Sequence, residues 1–599
     1  MEYRAQVLNR CQRQFVTARP RDATETWRSP IQKWHDEWKQ GVRRDPFKGR
    51  QRSEIVAPNL IVVTAQIDWR LITNSGLDEG FIRPVIDSHG WPLVPGSSMK
   101  GLFRREWKRQ GLDVHLLQRL CGSSAGSDRM HAGALRFHGA FCLNHAWMEG
   151  SLDLTHPQQA WQVGFHRNQD ENKPKAIAVV SLSKPKLTIA ISYKPNSISE
   201  AERLEVKRVL KDALGAGIGG RTAAGYGRVR GQTSFLELFR CEILGQGIAS
   251  KLLDIHSTAE FRPVLFRASI RCMALRLFSG LLPEEQALAE VDFLFGSLKG
   301  EDGPTVGVLL SHFENTEPIE VGTPASPVGH QRWQFKPPKV LRVQGGLVWE
   351  TRHNLLSNEQ ARAVGDLLAA LHGLVMSLGG FGKSWRRVDH RIFPLRNGSH
   401  YYSKTPLGCH WEWIHVPASN QWLNVQSTQD LQTLISKARS LARAWLTQKG
   451  ISIPREVHPS WREVIHPHKM NIWTRPAQSP DDCAAINWFH NDRIISSIRG
   501  LEECRFKGTS LVGQSRPPSR VGHVWHRMLP LQDSVHGYRT VGDQGRQGQL
   551  ITTDVWNGPF LEILTFFSTT TPLRDEQRFV QLLDRGAGVG FTRLRWSDP

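Results

Sequence analysis

Residues Leu214–Arg230 read LGAGIGGRTAAGYGRVR, with six glycines, three arginines and one tyrosine in seventeen residues. Glycine lets a backbone approach a ligand closely and adopt positive φ angles. Arginine offers a planar fork of donors that suits phosphate, and an aromatic ring can stack on an exposed base. The stretch therefore predicts a loop that holds a nucleic-acid backbone; the alternative is a tight turn between a helix and a strand. The candidate contacts are Gly219, Gly220, Arg221, Tyr226 and Arg228, with core packing as the alternative for the tyrosine.

The charge balance of the chain favours the same class of partner. There are 77 lysines and arginines against 56 acidic residues among 599, which gives a net charge of +21 and an isoelectric point near 9.9. An excess of this size favours a polyanion, most commonly nucleic acid. The sequence shows no apolar run of about 18 residues, no basic amphipathic anchor and no secretory signal, so we expect a cytoplasmic protein without a membrane partner.

The eight cysteines are scattered and form no CxxC pair. This pattern is typical of reduced thiols in a cytosolic protein. We therefore expect neither a zinc site nor any other metal or cofactor.

The order of elements predicts an α+β protein. The N-terminal part reads strand, loop, helix, strand, strand, helix, Gly-rich loop and strand, with the last strand at Arg228–Leu238. This is the split βαβ order of ferredoxin-like (RRM-like) folds, with insertions. Residues Leu367–Phe393 again run from a helix into a Gly-rich basic loop and a strand, so we predict tandem ferredoxin-like domains with long insertions.

The predicted division has five segments. Residues 1–56 form a basic extension, either an RNA-contacting arm or a solvated helix that covers a neighbour. Residues 57–243 form domain 1, residues 244–262 a linker, and residues 263–404 the core of domain 2. Residues 405–599 complete or extend domain 2.

A second basic element lies in Leu93–Arg105, LVPGSSMKGLFRR. Pro95 and Gly96 end a strand, and Ser97 or Ser98 is placed to cap the helix that follows. Lys100 and Arg104 are four residues apart and lie on one face of that helix.

Three motifs together resemble the RAMP superfamily, the RRM-like subunits of type III CRISPR interference complexes. Val94–Leu102, VPGSSMKGL, is similar to the PGSS-x-KG turn of that family. Leu120–Phe137 is similar to its Leu-Gly…Gly-x-Leu-x-Phe segment, and Gly215–Val229 to its Gly-rich loop. Within the superfamily, the first half is most similar to Cmr subunit six, the terminal subunit of Cmr-type complexes. The second half resembles a fused neighbour akin to Cmr subunit one.

The resemblance implies an RNA-binding capping or backbone subunit of a ribonucleoprotein that serves antiviral defence. It would hold guide (CRISPR) RNA and the guide–target duplex through its Gly-rich basic loops. Its implied partners are guide RNA, target RNA, other RAMP subunits and a large polymerase-like subunit. Its candidate RNA contacts are Ser97, Ser98, Lys100, Arg104, Gly219, Gly220, Arg221, Tyr226, Arg228, Gly379, Gly380, Lys383, Trp385, Arg386 and Arg387.

Catalysis is the alternative function. Cleaving relatives carry an aspartate shortly before a Pro-Val-Ile segment, and here Phe81–Ile86 reads FIRPVI with Ile82 at that position. The resemblance therefore implies that the first domain does not cleave. A metal-dependent endoribonuclease would instead use one of the weaker candidates Asp78, Asp87, Asp292 or Asp302. A metal-free guide-processing ribonuclease would need a general base near pH 7, such as His89 or His138.

Overall fold

The computed structural model describes most of the chain, with gaps. The described residues are 30–43, 58–73, 77–78, 81–123, 131–149, 152–155, 177–231, 235–252, 259–297, 305–315, 319–322, 340–382, 388, 408–459, 462–479, 482–490, 506, 508–512, 522–531, 538–542, 552–556, 558–568, 573–584 and 590–597. They show a mixed α/β protein with several small, mostly antiparallel sheets. The chain divides into two compact units: among the described residues, unit 1 contains those up to Phe235 together with Lys251 and Leu252, and unit 2 contains 236–250 and those from Ala259 onward.

Unit 1 contains the N-terminal elements. Its helices are α1 (Pro30–Arg43), α2 (Gly96–Arg109), α3 (Val114–Cys121) and α4 (Glu200–Gly215). Its strands are β1 (Leu60–Gln66), β2 (Arg70–Leu71), β3 (Leu77–Asp78), β4 (Phe81–Ile82), β5 (Leu93–Pro95), β6 (Leu135–Cys142), β7 (Leu152–Thr155), β8 (Ile177–Val180), β9 (Leu182–Ser183) and β10 (Lys186–Tyr193).

The main sheet of unit 1, sheet I, has the strand order β1-β10-β6-β5, and each neighbouring pair is antiparallel. Alternate residues of β1 and β10 are buried, as expected for strands with one face on a core. Beyond β1 the chain returns as a single antiparallel bridge between Ile67 and Val229. Small sheets β2-β9 and β3-β4-β8-β7 lie beside it.

Helix α1, which lies in the basic extension, packs on the rest of unit 1. For these residues the structure favours the interpretation as a covering helix over that as an RNA-contacting arm. Trp34, Trp38 and Val42 are buried, although the helix is polar overall. The Trp38 indole nitrogen donates to the Gly90 carbonyl oxygen at 2.8 Å, and its ring lies 5.1 Å from that of Trp147. An indole with a hydrogen-bond partner and an apolar body suits this covering role.

Unit 2 contains the remaining elements. Its helices are α5 (Val264–Phe278), α6 (Glu284–Phe295), α7 (Asn358–Leu378), α8 (Thr428–Gln448), α9 (Ala484–His490) and α10 (Arg574–Asp584). The strands from Phe235 onward are β11 (Phe235–Ile248), β12 (Ser250–Lys251), β13 (Ala259–Glu260), β14 (Leu310–Asn315), β15 (Glu320–Gly322), β16 (Val340–Arg352), β17 (Cys409–His415), β18 (Met470–Ala477), β19 (Val524–Pro530), β20 (Tyr538–Gly542), β21 (Thr552–Trp556), β22 (Phe560–Phe567) and β23 (Thr592–Leu594).

Unit 2 has two main sheets. Sheet II has the order β14-β16-β11-β17, with β15 also paired to β16. Sheet III has the order β19-β22-β18-β23. In both sheets the strands, counted along the chain, are ordered second, third, first, fourth, with helices after the first and third strands. Sheet I has the same order when the short edge strand β5 is left out and the bridge at Val229 is counted as the fourth strand.

Units 1 and 2 repeat one turn in detail. Gly122 is the C-cap of helix α3 and Gly296 is the C-cap of helix α6, with φ of +81° and +78°. Eleven residues later, Gly133 and Gly307 lie so close to the helix end that a Cβ would fall 2.5 Å from the carbonyl oxygen of Leu120 or Leu294. Only glycine fits this approach. The sequence pattern of 120–141, an apolar-Gly-Ser turn followed by a Gly-containing tip and a strand, recurs at 291–313, and the two stretches share their backbone geometry at these glycines.

Several sequence predictions need correction. Residues 228–238 do not form one strand. Arg228–Arg230 are hydrogen-bonded to the chain at the end of β1, whereas β11 starts at Phe235 and lies in sheet II. The tract at 317–344 is rich in Pro and Gly, which predicts a long loop, but it contains β15 and the start of β16. The polar stretch at 458–482 contains β18, the first strand of sheet III.

One helix within the described residues, α7, is long and apolar enough to cross a membrane by length and composition. Most of its side chains are buried inside unit 2. An apolar helix surrounded by other elements is typical of a core helix.

Candidate nucleic-acid interface

The Gly-rich segment packs against the backbone of the residues that follow β1. Gly219 has a φ of +79°, and a Cβ there would lie 2.2 Å from the Ile72 carbonyl oxygen. The amide of Gly220 donates to that same oxygen at 2.8 Å. The missing side chain of Gly219 is thus required by close contact with the protein's own backbone.

Gly227 has the same role at the other end of the segment. A Cβ there would lie 1.8 Å from the Ile218 carbonyl oxygen, and the Gly227 amide donates to the Arg70 carbonyl oxygen at 2.6 Å. Between these contacts, Arg221 takes the left-handed conformation with φ of +59° and is half-buried. The glycines shape the loop, and Arg221 is a half-buried charged residue within it.

Tyr226 lies in the core, which is the alternative left open for it by the sequence. Its side chain is 3% exposed, its ring lies 4.8 Å from that of Trp69, and its hydroxyl donates to an Asp153 carboxylate oxygen at 3.1 Å. Ser181 donates to the same oxygen at 3.4 Å and accepts from the buried Arg70 at 2.9 Å. The ring has no free face for a base, so we remove Tyr226 from the candidate contacts.

This buried network was missed by the sequence analysis. Arg70 and Asp153 are charged, yet both are buried beneath the Gly-rich segment. Buried charges need partners, so the network fixes the loop in place. The available signal was a lone arginine in the apolar run 60–72.

The PGSS turn presents an exposed helix start. Gly96 is required because a Cβ there would lie 2.0 Å from the Phe137 carbonyl oxygen. Pro95 is the N-cap of α2 and no side chain caps the helix, so neither Ser97 nor Ser98 has the predicted capping role. Both serines are exposed in the first turn. The first amides of a helix lack intrahelical partners and carry partial positive charge, which suits phosphate.

The basic residues of α2 lie against the second motif. Arg104 donates to the Gly122 carbonyl oxygen at 3.3 Å, so part of its guanidinium holds that turn. Burial raises the pKa of the Cys121 thiol to about 11, against the lowering effect of the nearby charges of Lys100 and Arg104. Both cations are half-buried. The first and second motifs therefore form one basic corner of unit 1.

Hydrogen bonds also link the Gly-rich segment to the PGSS turn. Ile72 accepts from Gly220, and the next residue, Thr73, accepts from the Val85 amide through its hydroxyl at 2.9 Å. The carbonyl oxygen of Val85 accepts from the Leu93 amide at 3.0 Å, one residue before Val94. All three motifs are thus tied together within unit 1.

The second Gly-rich loop is described only in part. Gly379 follows α7, and Gly380 has a φ of +145° with a Cβ position 2.6 Å from the Cys409 sulfur. Phe381 is buried and accepts from the Trp411 indole at 3.0 Å. The basic and aromatic candidates Lys383, Trp385, Arg386 and Arg387 lie outside the described residues.

The catalytic candidates have structural partners where their side chains are described. Asp87 accepts from the amides of His89 and Trp91, both at 2.9 Å, and so shapes a turn. Asp292 pairs with Arg271 at 2.8 Å. Neither belongs to a cluster of potential metal ligands among the described residues.

The other candidates add little to a catalytic site. Asp78 lies in β3, opposite Phe81, and its side chain is outside the description, as is Asp302. Ile82 pairs with Leu77 in the same small sheet. His89 is exposed, and His138 meets the Ser192 hydroxyl on the neighbouring strand at 2.8 Å.

Part of unit 1 matches a known protein family. Residues 80–230 match the RAMP superfamily. The match covers all three motifs of unit 1 and ends at the last residue of the Gly-rich segment. No curated protein matches the chain.

Two solved structures illustrate what the chain is similar to. One is a chain of a type IV-B CRISPR complex, with 19% identity over 28% of this chain and 88% of that chain, at a TM-score of 0.19. The other belongs to the type III-B Cmr-beta complex bound to cognate target RNA, with 15% identity over 38% of this chain and 73% of that chain, at a TM-score of 0.21.

Proposed function

We propose that this protein is an RNA-binding, non-catalytic subunit of an RNA-guided CRISPR effector complex. The observation that carries the proposal is the basic corner of unit 1, where the exposed start of α2 lies beside Lys100 and Arg104 within the part that matches the RAMP superfamily. Helix amides and cations together suit RNA phosphates. In a guided complex, base pairing reads the sequence and the protein holds the backbone.

The finer parts of the proposal concern place and partners. We propose that the protein is cytoplasmic, that it contacts guide RNA and the guide–target duplex, and that it caps or extends a filament of related subunits. The resemblance to Cmr subunit six, with a fused second RAMP unit, supports this role. Asp87 and Asp292 have turn and ion-pair roles, which favours a structural subunit over a nuclease.

We also propose that the chain is a tandem of three ferredoxin-like units rather than two. Sheets II and III share one strand order and one placement of helices, and sheet I has the same pattern when β5 is left out and the bridge at Val229 is counted as a strand. A Gly-rich segment precedes the fourth strand in each, and Gly215–Gly219 reads GAGIG where residues 586–590 read GAGVG. The part after residue 405, left open by the sequence, thus supplies a third unit centred on sheet III.

The test is RNA binding by the purified full chain at several salt concentrations. We expect affinity for single-stranded RNA to fall steeply as salt rises, because each neutralised phosphate releases counterions. Lys100→Ala and Arg221→Ala should each weaken binding several-fold and reduce the steepness of the salt dependence. A salt-independent affinity, or binding confined to duplex DNA, would contradict the proposal.

The matched control is Lys211→Ala on the exposed surface of α4. It removes the same charge from the same unit but outside the three motifs. We expect it to leave the salt dependence nearly unchanged. If Lys211→Ala and Lys100→Ala had equal effects, binding would be a property of net charge and the basic corner would have no special role.

A further inference from the structure

Three potential metal ligands meet inside sheet III. Cys483 directly precedes α9, His526 lies in β19 and Glu562 lies in β22. The Cys483 sulfur lies 3.1 Å from a Glu562 carboxylate oxygen, and the His526 Nε2 atom lies 3.2 Å from that oxygen and 3.6 Å from the sulfur. The three residues are 5%, 7% and 0% exposed.

These separations suit a tetrahedral zinc ion. Zinc bonds of about 2.0–2.3 Å place ligand atoms roughly 3.3–3.8 Å apart, close to the three distances observed. A thiolate, an imidazole and a carboxylate favour zinc and similar transition metals over magnesium or calcium. Three protein ligands leave the fourth position of a tetrahedral site to a water molecule.

The surrounding groups hold the carboxylate in position. The Ala485 amide donates to the Glu562 oxygen that faces Cys483 and His526 at 2.9 Å, and the Ala484 amide and Arg475 donate to the other oxygen at 3.1 and 3.2 Å. Arg475 is itself paired with Asp482 at 2.7 Å. The charges of zinc and Arg475 would then balance those of the thiolate and the two carboxylates. Partners of this kind orient metal ligands.

A nucleophilic cysteine is the rival explanation, and the geometry disfavours it. In a relay, the acid binds one imidazole nitrogen and the nucleophile meets the other. Here the sulfur and the carboxylate both face Nε2 of His526.

We propose that Cys483, His526 and Glu562 bind a zinc ion that fastens the start of α9 to strands β19 and β22. Its ligands are buried and come from three separate elements, so the ion would hold the start of α9 against two strands of the sheet. The inference does not depend on RNA binding. Loss of metal and loss of RNA affinity are therefore separate outcomes.

The test measures metal in the untagged full chain, expressed with zinc available and passed through a desalting column. We expect elemental mass spectrometry to find about one zinc ion per chain. Cobalt exchanged into the site should give the absorption bands of tetrahedral Co²⁺ and a sulfur-to-cobalt charge-transfer band. Cys483→Ala and His526→Ala should lose the metal, whereas Cys142→Ala, a buried cysteine of unit 1, should keep it.

Two results would overturn the proposal. One is wild-type protein that holds no zinc and gives no sulfur-to-cobalt band, which would leave the cluster as a hydrogen-bonded network. The other is folded Cys483→Ala protein that retains its zinc. Because the cobalt spectrum is recorded on the wild type, the test stands even if a variant fails to fold.

Discussion

Single glycines in unit 1 have a stabilising role that is visible only from their neighbours. Gly227 and Gly231 both have positive φ, at +66° and +76°. A Cβ at Gly227 would collide with the Ile218 carbonyl oxygen, whereas a Cβ at Gly231 would meet no atom within 4 Å. An alanine at Gly231 would therefore meet only backbone strain, whereas an alanine at Gly227 would meet both backbone strain and a steric clash.

We expect Gly231→Ala to lower the free energy of unfolding by about 1–2 kcal/mol, the ordinary cost of the left-handed conformation. Gly227→Ala should cost more, at least about 3 kcal/mol, because the backbone of the loop must move. Urea denaturation of both variants measures the difference. Equal costs would mean that the loop yields easily, and the close approach at Gly227 would not matter for stability.

At the scale of elements, α7 carries a buried histidine in its neutral form. The Trp349 indole donates to His372 Nε2 at 3.0 Å, and His372 Nδ1 donates to the Leu368 carbonyl oxygen at 2.7 Å. Burial lowers the pKa of His372 from 6.5 to about 4, although the hydrogen bond to Leu368 raises it. A charged imidazole could not accept the indole proton.

Stability should therefore depend on pH through α7. The contribution of the neutral His372 is complete above pH 6.5, the unfolded pKa, and is lost as pH falls from 6.5 toward 4. It amounts to roughly 3 kcal/mol at most. We expect His372→Gln to be less stable than wild type at pH 8, with a gap that narrows by pH 4.5 in denaturation experiments. A gap that stays constant over this range would contradict the burial of a neutral imidazole.

At the scale of the whole molecule, sheet III is joined to sheet II by a buried arginine. Arg527 of β19 is 1% exposed and donates to the carbonyl oxygens of Met376, Cys409 and Trp411 at 3.1, 3.3 and 2.6 Å. The Met376 oxygen lies near the end of α7, and the other two lie in β17, an edge strand of sheet II. One guanidinium thus satisfies three backbone acceptors of the neighbouring sheet.

Removing this arginine should weaken unit 2 as a whole. We expect Arg527→Met to lower the free energy of unfolding by about 3–5 kcal/mol, because it leaves three buried acceptors without a donor. The control is Arg593→Met in β23, a half-exposed arginine paired with Asp584 at 3.0 Å, which should cost under about 1 kcal/mol. Similar melting temperatures for the two variants would contradict the proposed link between the sheets.

Local features of the fold could be predicted from the sequence because they depend on nearest neighbours in the chain. Helix α4 starts after the capping residue Ser199, and β22 occupies Phe560–Phe567 as its apolar run indicates. The resemblance at 80–230 also followed from local motifs. Strand partners did not follow, because pairing is non-local: β11 continues from the Gly-rich segment in sequence but belongs to sheet II.

The sequence by itself determined the basic charge and the three motifs, since each depends on composition or short spacing. Only the tertiary structure decided what those residues contact. It placed Tyr226 in the core, brought the Ile72 carbonyl oxygen against Gly219, and gave sheet III the strand order of sheet II. It also brought together Cys483, His526 and Glu562, the first and last of which are 79 residues apart in the sequence. Such contacts arise from the packing of distant segments, which no local pattern encodes.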